Sequence, residues 1–284
     1  MQIAIASGKG GTGKTTVATN LAWVASRNAQ RVAYLDCDVE EPNGHIFLKP
    51  EITDRRPVAN LVPQVDAGVC TLCGQCDEIC RYSAIVRIGE KVLVYPELCH
   101  GCGGCELVCP VDAISETPIE IGVLETGRAG AIEFAQGMLK IGQPMSPPVI
   151  KAVKATDFQA DLTIIDAPPG TSCPVIEAVR DADFIMLVTE PTPFGLHDLK
   201  LAVDMVRVLK RPFGVVINRA MTGGTDVRSY CESRRIQILE EIPDDRKLAE
   251  AYSRGEMAAQ ALDEYEAMFA ELLKSIVEAG GAAR

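Results

Sequence analysis

The stretch from Gln2 to Thr16, QIAIASGKGGTGKTT, restricts the fold of this chain more than any other. Gly8, Gly13, Lys14 and Thr15 stand in the spacing G-x-x-x-x-G-K-[ST], directly after an apolar strand-like run and before a helix-period segment. Glycines at these places let successive backbone N–H groups turn toward bound phosphates. The lysine reaches the outer phosphate oxygens, the threonine hydroxyl meets Mg²⁺, and the start of the following helix adds the positive end of its dipole. The expected cradle is Gly8, Gly10, Gly11, Thr12, Gly13, Lys14, Thr15 and Thr16. A glycine-rich turn that binds nothing is the alternative; the agreement of motif and flanking elements argues against it.

The rest of the chain supplies the sheet that such a loop needs. Strands are predicted at Gln2–Ala6, Arg31–Asp36, Leu162–Asp166, Phe184–Thr189, Phe213–Asn218 and Ile236–Ile242. Helical stretches fall between them at Lys14–Ser26, Cys173–Arg180, Leu196–Leu209 and Asp226–Ser233. Alternation of this kind implies an α/β fold, a parallel sheet with helices on both faces; with the phosphate-loop motif at its start, the expected fold is a P-loop NTPase sheet. Ile119–Ile141 reads as a strand pair, and Ser146 with Pro147 as the start of a helix. The C-terminal stretch spaces Leu262, Tyr265, Phe269, Leu272, Leu273 and Ile276 at helical period among five acids, which predicts a core-packing helix rather than a membrane-surface one.

Composition narrows the setting. A formal charge of −11 over 284 residues disfavours nucleic acid or an anionic membrane as partner. No apolar run approaches the roughly 18–20 residues of a membrane span, and the N-terminus lacks a signal-peptide pattern, so a cytoplasmic protein is expected.

Lys9 is a second lysine inside the loop, and K-G-G-x-G-K-[ST] resembles the mark of the deviant P-loop ATPases of the MinD/Mrp/ParA group. The resemblance implies an ATP-bound homodimer in which Lys9 reaches the partner's nucleotide. It further implies that Asp38, in YLDCDVEEPN, orients the attacking water while Asp36 lies near the magnesium. Asp166 in LTIIDAPPG matches the position of a second magnesium-holding carboxylate, and Gly170 that of an N–H offered to the γ-phosphate. Asn218 and Pro243 match the adenine-flanking positions. Strand-end carboxylates and asparagines are also ordinary turn residues.

Residues 68–117 break the αβ rhythm, and the expected organisation is an ATPase domain of residues 1–67 and 118–284 with an inserted domain between. Eight of the eleven cysteines lie there, as Cys70, Cys73, Cys76 and Cys80 and as Cys99, Cys102, Cys105 and Cys109. Both runs are C-x₂-C-x₂-C-x₃-C, the spacing of bacterial two-cluster ferredoxins. The insert therefore resembles an α+β bacterial ferredoxin-like domain with two 4Fe–4S clusters. By that resemblance one cluster takes Cys70, Cys73, Cys76 and Cys109, and the other Cys99, Cys102, Cys105 and Cys80. Arg81 stands where the pattern prefers proline. Zinc is the alternative metal, although its sites rarely need two runs of four. His45, His100 and His197 receive no chemical role.

The two halves together resemble MinD-superfamily ATPases carrying an inserted ferredoxin. That resemblance implies ATP hydrolysis coupled to electron transfer or metallocofactor assembly on a partner protein. An iron–sulfur carrier of the Mrp type stays open, though its C-terminal C-x-x-C pair is missing, as does a MinD- or ParA-like positioning ATPase. Cys173, three residues past Gly170, is expected either as a thiol linked to the γ-phosphate sensor or as a small buried helix-start residue. Cys231 is expected in a surface helix.

Overall fold

Side chains along the central strands alternate between two cores, one on each face of a single sheet. From β1 (Gln2–Ala6), Ile3 and Ile5 join one core, and Ala4 and Ala6 the other. The computed structural model describes residues 1–28, 31–220 and 225–281. The chain continues through α1 (Lys14–Arg27), β2 (Val32–Asp36), α2 (Gly44–Leu48) and β3 (Glu51–Val65). The cysteine-rich segment holds α3 (Gln75–Ile79), β4 (Ile85–Ile88), β5 (Lys91–Val94) and α4 (Gly104–Leu107). Then come β6 (Ile114–Ala129), β7 (Ile132–Leu139), α5 (Pro147–Lys154), β8 (Leu162–Asp166), α6 (Cys173–Val179) and β9 (Phe184–Thr189). The last elements are α7 (Pro193–Leu209), β10 (Phe213–Ala220), α8 (Thr225–Ser233), β11 (Ile238–Pro243), α9 (Arg246–Ser253), α10 (Ala258–Ala261) and α11 (Asp263–Gly281).

Nine strands form the sheet in the order β11-β10-β9-β1-β8-β2-β7-β6-β3. The first seven of that order run parallel, with β1 against β8 and β9, and β2 against β8 and β7. Burial on both faces accounts for their near-continuous apolar sequences. Helix α11 closes one core with Tyr265, Phe269, Leu272, Leu273 and Ile276, against Val17 and Leu21 of α1. The opposite core packs Val149, Ile150 and Val153 of α5 beside Val175 of α6 and Leu199 and Val203 of α7. Each such side chain contributes roughly 1.5–3 kcal/mol on burial. Helix α8 lies at the surface as expected, with Asp226, Ser229 and Glu232 exposed, and its inner face carries Cys231 into this second core, fully buried.

The sheet is mixed rather than purely parallel. Strands β3 and β6 pair antiparallel from Glu51↔Arg128 to Val65↔Ile114, whereas β6 meets β7 only from Gly122 onward. The first half of β6 therefore leaves the sheet with β3 as a two-stranded ribbon. Because Gly122 pairs with Leu139, the end of a strand parallel to β2, the ribbon projects from the carboxyl edge of the parallel strands. Residues 66–113 close its far end. Strand β3 has no counterpart among the predicted strands, since Pro57, Pro63 and its charges disguise it; proline is tolerated on this outer edge. Ser146 does occupy the N-cap of α5 before Pro147, but it is buried and its hydroxyl makes no capping bond.

Candidate functional site

At the carboxyl edge of β1 the chain turns through Ser7–Gly13 into α1. Gly11 and Gly13 adopt left-handed φ values of 77° and 94°. A Cβ on Gly13 would strike the Asn218 side-chain amide, and one on Gly8 the backbone of Asp198. Gly10 and Gly11 face open space. Lys14 is almost buried, with Nζ 3.9 Å from Asp38 Oδ2. Asn218 Nδ2 donates to the Thr12 carbonyl at 2.8 Å, so the end of β10 braces the loop.

Two buried carboxylates lie beneath it. Asp36 and Asp166 end β2 and β8 as register partners, and both are fully buried. Asp166 Oδ2 accepts from Thr15 Oγ1 at 2.6 Å and from the Tyr34 hydroxyl at 3.0 Å, while its Oδ1 has no partner. Asp36 accepts from the backbone N–H groups of Asp38 at 3.2 Å and Gly44 at 2.9 Å. Burial, then the neighbouring Asp166 charge, pushes the Asp36 carboxyl well above its usual range. Burial also raises Asp166, against the pull of Lys14 and its two hydroxyl donors. A buried carboxylate pair with a hydroxyl beside it and one orphaned oxygen is a donor set suited to a hard divalent cation. Asp38 is pushed up to about 6 by burial, with Lys14 opposing.

Above these groups opens a cleft of about 440 Å³, within the range of ligand sites. Gly10, Gly11, Gly13, Lys14, Thr15, Thr16, Asp38, Asn218 and Pro243 line it. So do Glu41, Arg219, Asp245 and Tyr252, which sequence reasoning missed, although Glu41 lies within YLDCDVEEPN and Asp245 within the motif EIPDD that holds Pro243. Asp245 caps α9 through Lys247 N at 2.8 Å and accepts from Tyr265 Oη at 3.0 Å. A cleft of equal volume at the opposite edge, among Met1, Arg31, Lys154 and Thr163, holds none of the motif residues.

The cysteines surround two separate cavities. Cys70, Cys73, Cys76 and Cys109 line one, and Cys80, Cys99, Cys102 and Cys105 the other. Each cavity thus takes three thiols from one run and the fourth from the other. The runs are wrapped alike: Gly74 and Gly103 precede α3 and α4 with φ of 85° and 69°, and Ser83 and Asp112 have φ of 51° and 52°. Ala84 N donates to Cys80 Sγ at 3.3 Å and Ala113 N to Cys109 Sγ at 3.2 Å. Burial raises Cys76 and Cys99, and pushes Cys105 up to about 11. Burial also acts on Cys80, but the N–H groups of Tyr82, Ile85, Ala84 and Ser83 outweigh it and lower the thiol. Among the described residues no three His, Cys, Asp or Glu side chains meet at one point as a single ion requires. His100 stacks on Tyr82 with ring centroids 3.4 Å apart, and both flank the second cavity.

Comparison with known proteins places this geometry. The CobQ/CobB/MinD/ParA nucleotide binding domain matches residues 3–258. The chain belongs to this family. A relative in Methanocaldococcus jannaschii, an uncharacterized protein, is 34% identical over 77% of this chain and 78% of its own. An iron-sulfur cluster carrier protein of Pyrococcus horikoshii is 26% identical over 89% of this chain and 77% of its own. The septum site-determining protein MinD of Pyrococcus horikoshii, solved with Mg-ADP, superposes at a TM-score of 0.60 and 19% identity, covering 100% of this chain and 98% of that one. At that identity the likeness carries the fold. The chain thus carries a CobQ/CobB/MinD/ParA nucleotide binding domain on the fold that MinD also adopts.

Within this domain Lys9 and Gly170 are not among the residues that line the cleft. Lys9 Nζ sits 3.4 Å from Glu190 Oε2 of its own chain. The Gly170 N–H donates to the Ser7 carbonyl at 2.9 Å, a bond that a phosphate would have to displace. Asn218 keeps both polar ends occupied, since its Oδ1 accepts from Arg219 N at 3.0 Å. Cys173 opens α6 as an exposed residue, so its reading as a buried helix-start side chain fails.

Proposed function

We propose that the chain is an ATP-hydrolysing iron–sulfur protein that closes as a homodimer around ATP and couples that cycle to electron transfer or metallocofactor assembly on a partner protein. One observation carries the reading: the phosphate cleft and two four-cysteine cavities stand at the same edge of one sheet, joined by the β3–β6 ribbon. In this reading Lys14 and the N–H groups of Gly8, Gly10, Gly11, Thr12, Gly13, Thr15 and Thr16 hold the phosphates. Asn218 and Pro243 flank the adenine. Thr15, Asp36 and Asp166 hold Mg²⁺, which neutralises charge on the transferring phosphoryl group. Asp38 accepts a hydrogen bond from water aligned with the γ-phosphorus; attack breaks the bond to the bridging oxygen, leaving ADP and phosphate. Gly170 senses the γ-phosphate, and Lys9 meets the nucleotide of the second copy.

The two cysteine sets fit 4Fe–4S clusters in donor number and type, and backbone N–H groups already point at Cys80, Cys99 and Cys109 sulfurs. Such clusters store and pass single electrons. With no helix long and apolar enough to cross a membrane among the described residues, and a charge of −11, a basic protein partner in the cytoplasm suits the chain better than lipid or nucleic acid. The test is anaerobic purification followed by iron and sulfide analysis and EPR of the reduced protein with and without MgATP. About eight irons per chain and a spectrum or potential that changes with MgATP are expected; iron-free protein, or clusters indifferent to nucleotide, would sink the reading.

The relatives named as iron–sulfur cluster carriers favour a second reading, transfer of a cluster to an acceptor. It requires that the loaded protein activate an apo-acceptor faster than free iron and sulfide do. The thiols outside the insert are Cys37 and Cys231, both buried, and Cys173, so transfer would have to draw on the insert itself.

A further inference from the structure

We infer that Glu190 is a positioning residue that clasps Lys9 within its own chain and thereby sets how readily this lysine is released to a second copy; the inference rests on the dimer reading above. Glu190 follows β9 on a backbone with little freedom. Its carbonyl packs against Gly195 too closely for a Cβ there, and accepts from Thr192 N at 2.8 Å. Thr189 Oγ1 donates to the Gly195 carbonyl, and Gly195 N to Thr192 Oγ1, each at 3.0 Å. The carboxylate is thus delivered to a set place beside the P-loop, with a side chain only 11% exposed.

There it holds two cations. Lys9 Nζ lies 3.4 Å from Oε2, and Arg219 Nη1 donates to Oε1 at 2.8 Å. The pairing decides which cation can leave. A nearly buried carboxylate with one counter-ion resists losing it, since an uncompensated charge would remain. With Arg219 in place, Lys9 can go while Glu190 stays paired. Arg219 is the better held of the two: its contact is the shorter, a hydrogen bond at 2.8 Å against 3.4 Å for Lys9, and its N–H is tied to Asn218 Oδ1. Lys9 is the exchangeable partner, able to trade the carboxylate for a phosphate presented by another copy. Arg219 also lines the nucleotide cleft, so the clasp and the site share an element.

Dimerisation of the full-length, cluster-loaded protein, followed by analytical ultracentrifugation at saturating Mg²⁺ and a non-hydrolysable ATP analogue, tests this. Glu190→Gln, which keeps the shape but frees Lys9, is expected to dimerise at about 1.5- to fivefold lower concentration, the range for a partly exposed ion pair. Arg219→Gln leaves Lys9 as the sole counter-ion and is expected to shift the midpoint upward by a similar factor. In a Lys9→Ala background Glu190→Gln should make no further difference, a dependence that a merely structural role would not produce. A Glu190→Gln midpoint equal to or above the wild-type value overturns the clasp, and so does a downward shift in Arg219→Gln, which can be read even if the first variant does not fold. A wild-type chain that binds nucleotide without dimerising overturns the dimer reading and the clasp with it.

Discussion

Tyr34 carries more of the site than its place mid-strand announces. Fully buried and stacked on Phe134 at 5.9 Å, it donates its hydroxyl to the same Asp166 oxygen that Thr15 reaches. Tyr34→Phe keeps the stack and deletes one donor to a buried carboxylate, so a loss of about 1.5–3 kcal/mol is expected in denaturant unfolding. Weaker Mg²⁺ dependence of nucleotide binding should accompany it, read by titrating a fluorescent nucleotide at several Mg²⁺ concentrations. Gly13 shows the converse constraint, a residue fixed by what cannot fit. At φ 94° and against the Asn218 amide, Gly13→Ala meets both backbone strain and a clash. Nucleotide binding should fall by at least about tenfold, equivalent to ~1.4 kcal/mol. Adding Asn218→Ala should recover only the steric part.

At the scale of elements, the ribbon depends on few interior contacts. Asn60 of β3 is buried and donates to the Cys99 carbonyl at 2.7 Å, tying the ribbon to the second thiol cavity. Asn60→Ala leaves that carbonyl unpaired, at a cost of about 1–3 kcal/mol. In the metal-loaded protein Cys80, Cys99, Cys102 and Cys105 should alkylate faster while the other set and nucleotide affinity hold steady, as mass spectrometry can follow. The amino ends of the strands carry a different device. Asp161 pairs with Arg31 at 2.7 Å, and the Arg31 hydrogen bond holds its carboxyl down at about 2, below the usual 3.8. A depressed folded-state value gives stability that is present above about pH 4 and is lost as the pH falls through about 2. The stability difference between wild type and Asp161→Asn should therefore shrink over that acid window, in unfolding curves taken from pH 5 to pH 2.

Across the whole molecule, stability is unevenly shared. Two large cores hold the nine-stranded sheet, whereas the cysteine segment shares with the ribbon two clusters of three buried residues each: Ala84 and Cys99 with Val62 of β3, and Cys76 and Ile85 with Ile114 of β6. So small an interior cannot hold nearly fifty residues by burial alone. Removing bound metal with a chelator should melt the segment while the sheet keeps its own cooperative transition, so that calorimetry of metal-free protein shows near-normal unfolding of the sheet and exchange-labile amides confined to residues 66–113. Saturation of the metal-free protein with MgATP at 100 times its dissociation constant should raise the sheet transition by about 2.7 kcal/mol.

Much was legible from local order. The P-loop declared itself because its residues are consecutive, and phosphate binding by backbone N–H groups demands glycine at fixed intervals. The thiol runs did so for the same reason, and the apolar strands through their continuous burial. What lay hidden joins residues far apart in the chain: Tyr34 to Asp166, Asn60 to Cys99, Lys9 to Glu190 and Arg219. Strand β3 escaped notice because an outer edge accepts prolines and charges that would disqualify a central strand. Helix α8 was legible as a surface helix, and the i, i+4 pair Val227 and Cys231 marks the face that it buries. By itself, then, the sequence determined the chemistry available, a phosphate loop and eight spaced thiols, since these rest on short-range spacing. Only the tertiary structure decided that both stand at one edge of one sheet and which carboxylate answers which cation, because burial and register bring those groups together from distant strands.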